Sequence, residues 1–156
     1  MKAKVFIVAL TTIVIAACSK DKFNTTPQLK FKSVNLTELQ RGQSIIFKLD
    51  LTDKEGDVVG NTDENNDSLL TVLKVTRNCE ASNTKSYYEL PVVPETKSFE
   101  GEIEVRFSYS EGPFPLLSDP QCPNRNDSCV FKFVVKDRAG NVSDTAVSPE
   151  IVLIKN

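Results

Sequence analysis

Two short acidic segments carry the residue types that a cation site built from oxygen ligands requires. Asp53, Glu55 and Asp57 lie at alternate positions in the first segment, and Asp137 and Asn141 lie four positions apart in the second. Ca²⁺ takes about 6 to 8 oxygen ligands from carboxylates, amides and carbonyls. Two such loops at one end of a domain could supply them, so Ca²⁺ is the one cofactor that the sequence suggests.

The same segments also fit ordinary turn chemistry, which needs no ion. Asp53 and Asp137 are each followed three residues later by a glycine, Gly56 and Gly140. An Asp side chain accepts hydrogen bonds from nearby backbone N–H groups, and glycine takes a positive φ without steric cost. Turn chemistry is the stronger expectation of the two, and a Ca²⁺ site is retained as the alternative.

The first 18 residues indicate a different chemistry, that of export. Lys2 and Lys4 precede an apolar run of 13 residues, from Val5 to Ala17, and Cys18 follows at once. A charged start, a short apolar run and small residues before a cut are typical of a secretory signal peptide. The run is shorter than the roughly 20 residues that cross a bilayer as a helix.

The end of that run resembles the processing site of bacterial lipoproteins. Ile15-Ala16-Ala17-Cys18 is similar to the lipobox, with Ile where that pattern usually has Leu. The resemblance implies removal of residues 1–17, a diacylglyceryl thioether on Cys18, and often a further acyl chain, such as palmitate, on its new amine. One acyl chain holds a protein marginally and two hold it stably. An ordinary signal peptide followed by a structural cysteine is the alternative.

The residues after Cys18 bear on the destination of the chain. Ser19 stands where an Asp favours retention in the inner membrane of many Gram-negative bacteria, which resembles the outer-membrane class of lipoproteins. Residues 18–27 are predicted to be the lipidated cysteine and a flexible polar tether, followed by one folded domain over residues 28–156. Whether that domain faces the periplasm or the cell surface is left open.

Three cysteines remain within the predicted domain. They are Cys79, Cys122 and Cys129, and the compartment outside the inner membrane permits disulfides. Three single bridges are possible, each leaving one thiol. Cys122 and Cys129 bracket a short polar segment and are the simplest local pair. A zinc site is not expected, because the paired spacing typical of such sites is missing.

The composition argues against several functions. The chain has no histidine, which excludes Ser-His-Asp triads, Cys-His dyads and histidine-ligated metals. Loss of Lys2 and Lys4 with the signal peptide leaves 17 basic and 21 acidic side chains, a net charge of about −4 that gives no reason to expect nucleic-acid binding. The acidic residues fall mostly in turns or on polar strand faces, so we expect no enzyme.

The elements that must position these residues are β-strands. Apolar and polar residues alternate in several short runs separated by Gly, Pro, Asn and Asp, and no segment after Cys18 has a convincing helical period. This pattern predicts an all-β fold, a single immunoglobulin-like β-sandwich of about seven antiparallel strands. The predicted strands cover residues 29–32, 45–51, 69–75, 87–90, 103–109, 131–135 and 151–153.

Two segments carry a resemblance to a broad fold family. Residues 133–143 (FVVKDRAGNVS) and 49–57 (LDLTDKEGD) look like a strand followed by an Asp-x-x-Gly-Asn or Asp-x-x-Gly-Asp loop in bacterial immunoglobulin-like and cadherin-like modules. If the sandwich is correct, both loops lie at the same end. The whole chain is similar to the small lipoproteins of Bacteroidota. Asp67-Ser68-Leu69 and Asp144-Thr145-Ala146 resemble O-glycosylation acceptors of that group, which implies sugars on Ser68 and Thr145.

The expected function is that of a membrane-anchored binding or accessory module in the cell envelope, with the lipid bilayer as one partner and an envelope protein as a second. A carbohydrate- or nutrient-capture lipoprotein, assisted by Ca²⁺, is one alternative, and a purely structural envelope protein is another. An exposed aromatic cluster of Tyr87, Tyr88, Tyr109 and Phe114 favours capture. A contiguous apolar patch rimmed by polar groups favours a protein partner.

Overall fold

The computed structural model describes residues 25–59, 69–79, 83–93, 96–120, 122 and 124–155. Over these residues the protein is all-β, as the alternating pattern predicts. None of the described residues forms a helix long and apolar enough to cross a bilayer. Cys18 and the rest of the predicted signal peptide and tether up to residue 24 lie outside the described residues, as does Ser68.

Each of the seven predicted runs coincides with a strand, although the run 87–90 extends one residue beyond the end of its strand, and three further strands were not predicted. The three are two residues long, too short for a period-2 pattern to be visible. The strands are β1 (Gln28–Val34), β2 (Glu38–Leu39), β3 (Ser44–Asp53), β4 (Leu69–Thr76), β5 (Thr84–Glu89), β6 (Phe99–Tyr109), β7 (Leu116–Leu117), β8 (Asp127–Lys136), β9 (Ala146–Val147) and β10 (Ile151–Leu153).

The described strands form two sheets. One has the order β1-β3-β6-β7, and the other has the order β2-β10-β8-β4-β5, with β9 also pairing with β8. The long strands pair antiparallel, whereas β2 with β10 and β6 with β7 pair parallel. The all-β sandwich prediction is confirmed, and the seven predicted strands pair antiparallel with one another. Both sheets are mixed because the unpredicted short strands β2 and β7 pair parallel.

The core lies between the two sheets and is rich in aromatic rings. Along β3 the side chains of Ile45, Phe47, Leu49 and Leu51 are all fully buried, while the residues between them are partly exposed. The ring of Phe47 lies 4.7 Å from that of Phe131 on β8, so the two sheets meet face to face. Each buried large side chain contributes roughly 1.5 to 3 kcal/mol through removal of apolar surface from water.

The outer face of the first sheet is charged. Nζ of Lys32 on β1 lies 3.0 Å from Oδ1 of Asp50 on β3. Nζ of Lys48 on β3 lies 2.8 Å from Oε1 of Glu102 on β6. Exposed pairs of this kind add little stability. Because these charged side chains must stay in contact with water, the opposite, apolar face of β3 must point into the core.

The disulfide joins Cys79 and Cys122, so the predicted Cys122–Cys129 pair was wrong. Their Cα atoms are 5.2 Å apart although the two residues are separated by 43 positions in sequence. Cys129 lies within β8 with its thiol buried in the core, where neither other cysteine approaches it as a partner. Asp127 helps to place Cys79, because its Oδ1 accepts the backbone N–H of that cysteine at 3.2 Å.

The register of the strands determines which loops share an end. Gln28, the first residue of β1, pairs with Thr52 near the end of β3. Asp53 pairs with Phe99, the first residue of β6. In the second sheet Lys136, the last residue of β8, pairs with Leu69, the first residue of β4. The loops that follow β3 and β8 leave from one end of the sandwich, because hydrogen bonds join Asp57 in the first loop to Arg138 and Ala139 in the second.

Candidate functional site

The loop after β3 is organised by its two aspartates. Asp53 ends the strand with its side chain fully buried, and its Oδ2 accepts the backbone N–H of Asp57 at 3.1 Å. Gly56 between them has φ of +69°, and a Cβ at this position would lie 2.2 Å from the carbonyl oxygen of Thr96. Only glycine fits this turn, because any side chain would clash with the backbone.

The loop after β8 repeats the same construction. The side chain of Asp137 is fully buried, and its Oδ1 accepts the backbone N–H of Asn141 at 2.7 Å. The Asn141 side chain donates through Nδ2 to Asp137 Oδ2 at 2.9 Å, so both carboxylate oxygens accept a hydrogen bond. Gly140 takes φ of +91° in this turn. The turn chemistry expected for Asp53, Asp137, Gly56 and Gly140 is thus present in both loops.

The two loops are bonded to each other. The backbone N–H of Ala139 donates to Oδ2 of Asp57 at 3.2 Å, and the backbone N–H of Arg138 donates to the Asp57 carbonyl oxygen at 3.3 Å. Nε of Arg138 donates to the same carbonyl oxygen, also at 3.3 Å. Asp57 therefore links a loop from one sheet to a loop from the other.

These contacts bring three carboxylates into one cluster. One oxygen each from Asp53, Asp57 and Asp137 lies within 4.8 Å of the other two, a spacing that a single cation could bridge. Glu55, a predicted ligand, is exposed and does not belong to the group. Asn141, also predicted as a ligand, serves as a donor to Asp137. Turn chemistry and a cation site are consequently compatible in this structure.

The electrostatics of the cluster are unfavourable without a counter-charge. Burial, followed by the neighbouring Asp57 carboxylate, raises the pKa of Asp53 from 3.8 to about 6. Asp137 adds a smaller repulsion, and the Asp57 backbone N–H partly offsets all of these. Within the described part of the chain, Asp53 and Asp137 take part in none of the ion pairs. The Arg138 guanidinium bonds through Nε to the Asp57 backbone oxygen.

The four aromatic residues considered for sugar binding do not form an exposed cluster. Tyr109 is fully buried, and its hydroxyl donates to the Ile154 carbonyl oxygen at 2.9 Å. Tyr88 is half-buried against Phe107, while the adjacent Tyr87 is 59% exposed and points to the other face of β5. Phe114 is half-buried beneath the Arg106 guanidinium. No shared sugar platform results.

An apolar groove does open between the two sheets on the side of β5 and β6. It has a volume of about 310 Å³, and the charged residues at its rim are Glu89, Glu104 and Arg106. Sequence patterns do not reveal it, because it joins residues of three strands, of the loop after β5 and of the loop before β7. Its apolar lining includes Leu70, Tyr88, Ile103, Val105, Phe114 and Pro115.

The edges of both sheets are open beside this groove. Among the described residues β5 pairs with β4 alone, and β6 from Phe99 to Phe107 pairs with β3 alone. Such strand edges present backbone N–H and C=O groups that can bind an extended segment of another protein.

The predicted covalent modifications fall at different places relative to the described structure. Cys18 and Ser68 lie outside the described residues. Thr145 is exposed in the segment before β9. Comparisons with protein-family models, with curated proteins and with solved structures found no match to this chain.

Proposed function

We propose that this protein is an exported lipoprotein that holds a β-sandwich binding or accessory module at a membrane of the cell envelope. The pattern of residues 1–18 supports export and lipidation at Cys18, with residues 19–27 as tether. The Cys79–Cys122 bridge supports the same compartment, because disulfides persist in oxidising surroundings and are rare in the bacterial cytoplasm. Ser19 is the reason for proposing the outer membrane.

The observation that carries the binding role is the apolar groove beside two open strand edges. A structural protein needs no such groove, and a sugar-binding protein is less well supported because its aromatic platform is not formed. The groove is apolar, and its charged rim carries two acidic groups and one basic group. The partner proposed is therefore an extended segment of an envelope protein that offers an apolar side chain next to a basic one.

The anchor is tested by the intact mass of the protein extracted from membranes. The expected mass lacks residues 1–17 and includes two or three acyl chains, and sugar on Thr145 or Ser68 would add further mass. Cys18→Ala should leave the protein in the soluble or periplasmic fraction. An unlipidated mass, or Cys18→Ala protein that stays in the membrane, would overturn the anchor.

The partner is tested by site-specific photo-crosslinking in intact cells. A photoreactive phenylalanine at Phe114, in the groove, should give a defined adduct, whereas the same group at Lys30, on the charged outer face, should not. Glu89→Lys reverses one charge of the rim and should weaken the adduct at Phe114. Equal adducts at both positions, or an adduct insensitive to Glu89→Lys, would contradict a partner bound in the groove.

A further inference from the structure

The acidic end of the sandwich has the properties of a cation site rather than of a solvated charged surface. Three carboxylates from two loops lie within 4.8 Å of one another, and two of them, Asp53 and Asp137, are 0% exposed. Carboxylates are seldom fully buried unless they are paired or coordinate a metal. Within the described residues neither Asp53 nor Asp137 has a cationic partner.

A second observation points to a ligand at this place. Oδ2 of Asp53 accepts the Asp57 N–H, but Oδ1 is buried and accepts no hydrogen bond from any described residue. A buried carboxylate oxygen without a donor is unfavourable, and each such atom in a native structure requires an explanation such as an ion or water. Asp137 differs, because Asn141 satisfies both of its oxygens and so fixes the orientation of that carboxylate.

We propose that Asp53, Asp57 and Asp137 bind one divalent cation, Ca²⁺. The donor set consists of oxygen atoms alone, which suits Ca²⁺ or Mg²⁺ and does not favour zinc or copper. Three carboxylates from two loops give the high charge and the adaptable geometry that Ca²⁺ accepts, whereas Mg²⁺ keeps most of its waters and usually takes one or two carboxylates.

The surrounding backbone prepares the site before the ion arrives. Asp57 is held by the Ala139 N–H, Asp53 by the Asp57 N–H and Asp137 by Asn141. Each of these hydrogen bonds fixes a carboxylate without adding a compensating full charge. Bound Ca²⁺ would neutralise the mutual repulsion and would lock together two loops that belong to different sheets. This inference is independent of the proposed lipid anchor and of the groove.

Calorimetric titration of the purified mature protein with CaCl₂, after treatment with EDTA and buffer exchange, tests the proposal directly. About one Ca²⁺ should bind per chain, and a 100-fold excess over Kd should raise the thermal midpoint by roughly 5 to 10 °C. MgCl₂ should bind more weakly. Absence of Ca²⁺ binding to the wild-type protein, with an unchanged thermal midpoint, overturns the proposal.

The chain offers a matched control for the variants. Asp53→Asn and Asp137→Asn keep side-chain size and remove one charge from the cluster, so each should weaken Ca²⁺ binding by about tenfold or more. Glu55→Gln removes a charge from the same loop outside the cluster and should bind like wild type. Circular dichroism checks that each variant is folded. Equal loss of affinity in Glu55→Gln and Asp53→Asn would overturn the site, and equal affinity for Mg²⁺ would overturn its assignment to Ca²⁺.

Discussion

The backbone N–H of Ala139 donates a hydrogen bond to Oδ2 of Asp57 across 3.2 Å, although the two residues are 82 positions apart in sequence. Ala139 follows the last residue of β8 by three positions, and Asp57 follows the last residue of β3 by four. The bond therefore joins the two sheets at the acidic end through a side chain that is itself charged. This arrangement keeps the carboxylates together whether or not a cation is present.

The pH dependence of stability should reveal this enforced proximity in the metal-free protein. The pKa of Asp53 is raised from 3.8 to about 6, so the folded state prefers the protonated form. The stabilisation from this group is present below pH 4 and is lost as pH rises through 6. Measured in EDTA by thermal unfolding, Asp53→Asn should gain stability relative to wild type between pH 4 and pH 7.

The control for this series is Glu55→Gln, which lies in the same loop with an exposed side chain. Its stability relative to wild type should change little over the same pH range. If the difference in unfolding stability between Asp53→Asn and wild type is constant from pH 4 to pH 7, the pKa of Asp53 is not raised in the folded protein.

Two glycines with positive φ should respond differently to the same substitution. A Cβ at Gly56 would meet the Thr96 carbonyl oxygen at 2.2 Å, whereas a Cβ at Gly140 would meet nothing within 4 Å. Left-handed φ alone costs about 1 to 2 kcal/mol for a residue with a side chain. Gly140→Ala should lose about that much in urea unfolding, and Gly56→Ala should lose clearly more. Equal losses would mean that the clash at Gly56 is relieved by movement of the Thr96 segment.

Reduction of the Cys79–Cys122 bridge should lower the free energy of unfolding without abolishing the fold. The bridge spans 43 positions, and a crosslink that closes a loop of this size stabilises a domain by about 2 to 4 kcal/mol, mainly by restricting the unfolded chain. The Cys79→Ser, Cys122→Ser double variant should show this loss in denaturant titrations. Reductant should destabilise the wild type and leave the double variant unchanged. If reductant destabilises both proteins equally, the loss of stability does not come from the Cys79–Cys122 bridge.

The thiol of Cys129 should be unreactive in the folded protein. It is fully buried, and burial raises its pKa to about 11. The thiolate is the reactive form, so alkylation at pH 8 should be slower than in denaturant by roughly 100-fold or more. Mass spectrometry after exposure to a maleimide gives the rate. Labelling of the native protein within minutes would show that β8 opens locally.

The sequence was a good guide wherever the chemistry is periodic or local. The alternation of Ile45, Phe47, Leu49 and Leu51 predicted β3 because a strand with one buried face must alternate. β2, β7 and β9 were not predicted, because a strand of two residues is too short to show an alternating pattern. The turns at Asp53 and Asp137 were predictable because an Asp–Gly spacing encodes its own hydrogen bonds.

Features that depend on long-range packing were not predictable in the same way. The cysteine nearest to Cys122 in sequence, Cys129, points into the core, and the partner that the fold supplies is the more distant Cys79. Glu55 was grouped with its acidic neighbours, yet the turn directs it into solvent. Tyr109 is of a residue type common at binding surfaces, but it is buried in the core, where its hydroxyl donates to the Ile154 carbonyl oxygen.

The pairing of Gln28 with Thr52 places the start of the folded domain at the same end of the sandwich as the acidic loops. The chain enters the sandwich on the strand next to the one that ends at Asp53, and the ten residues from Cys18 to Pro27 reach at most about 36 Å when fully extended. In a protein anchored through Cys18 as proposed, the tether would enter the domain at the pole that carries the acidic loops. The opposite pole carries the Arg41–Asp119 ion pair and the Cys79–Cys122 bridge. A cation held by the acidic loops would lie at the pole that the tether enters, while the opposite pole would be the oxidised, crosslinked one.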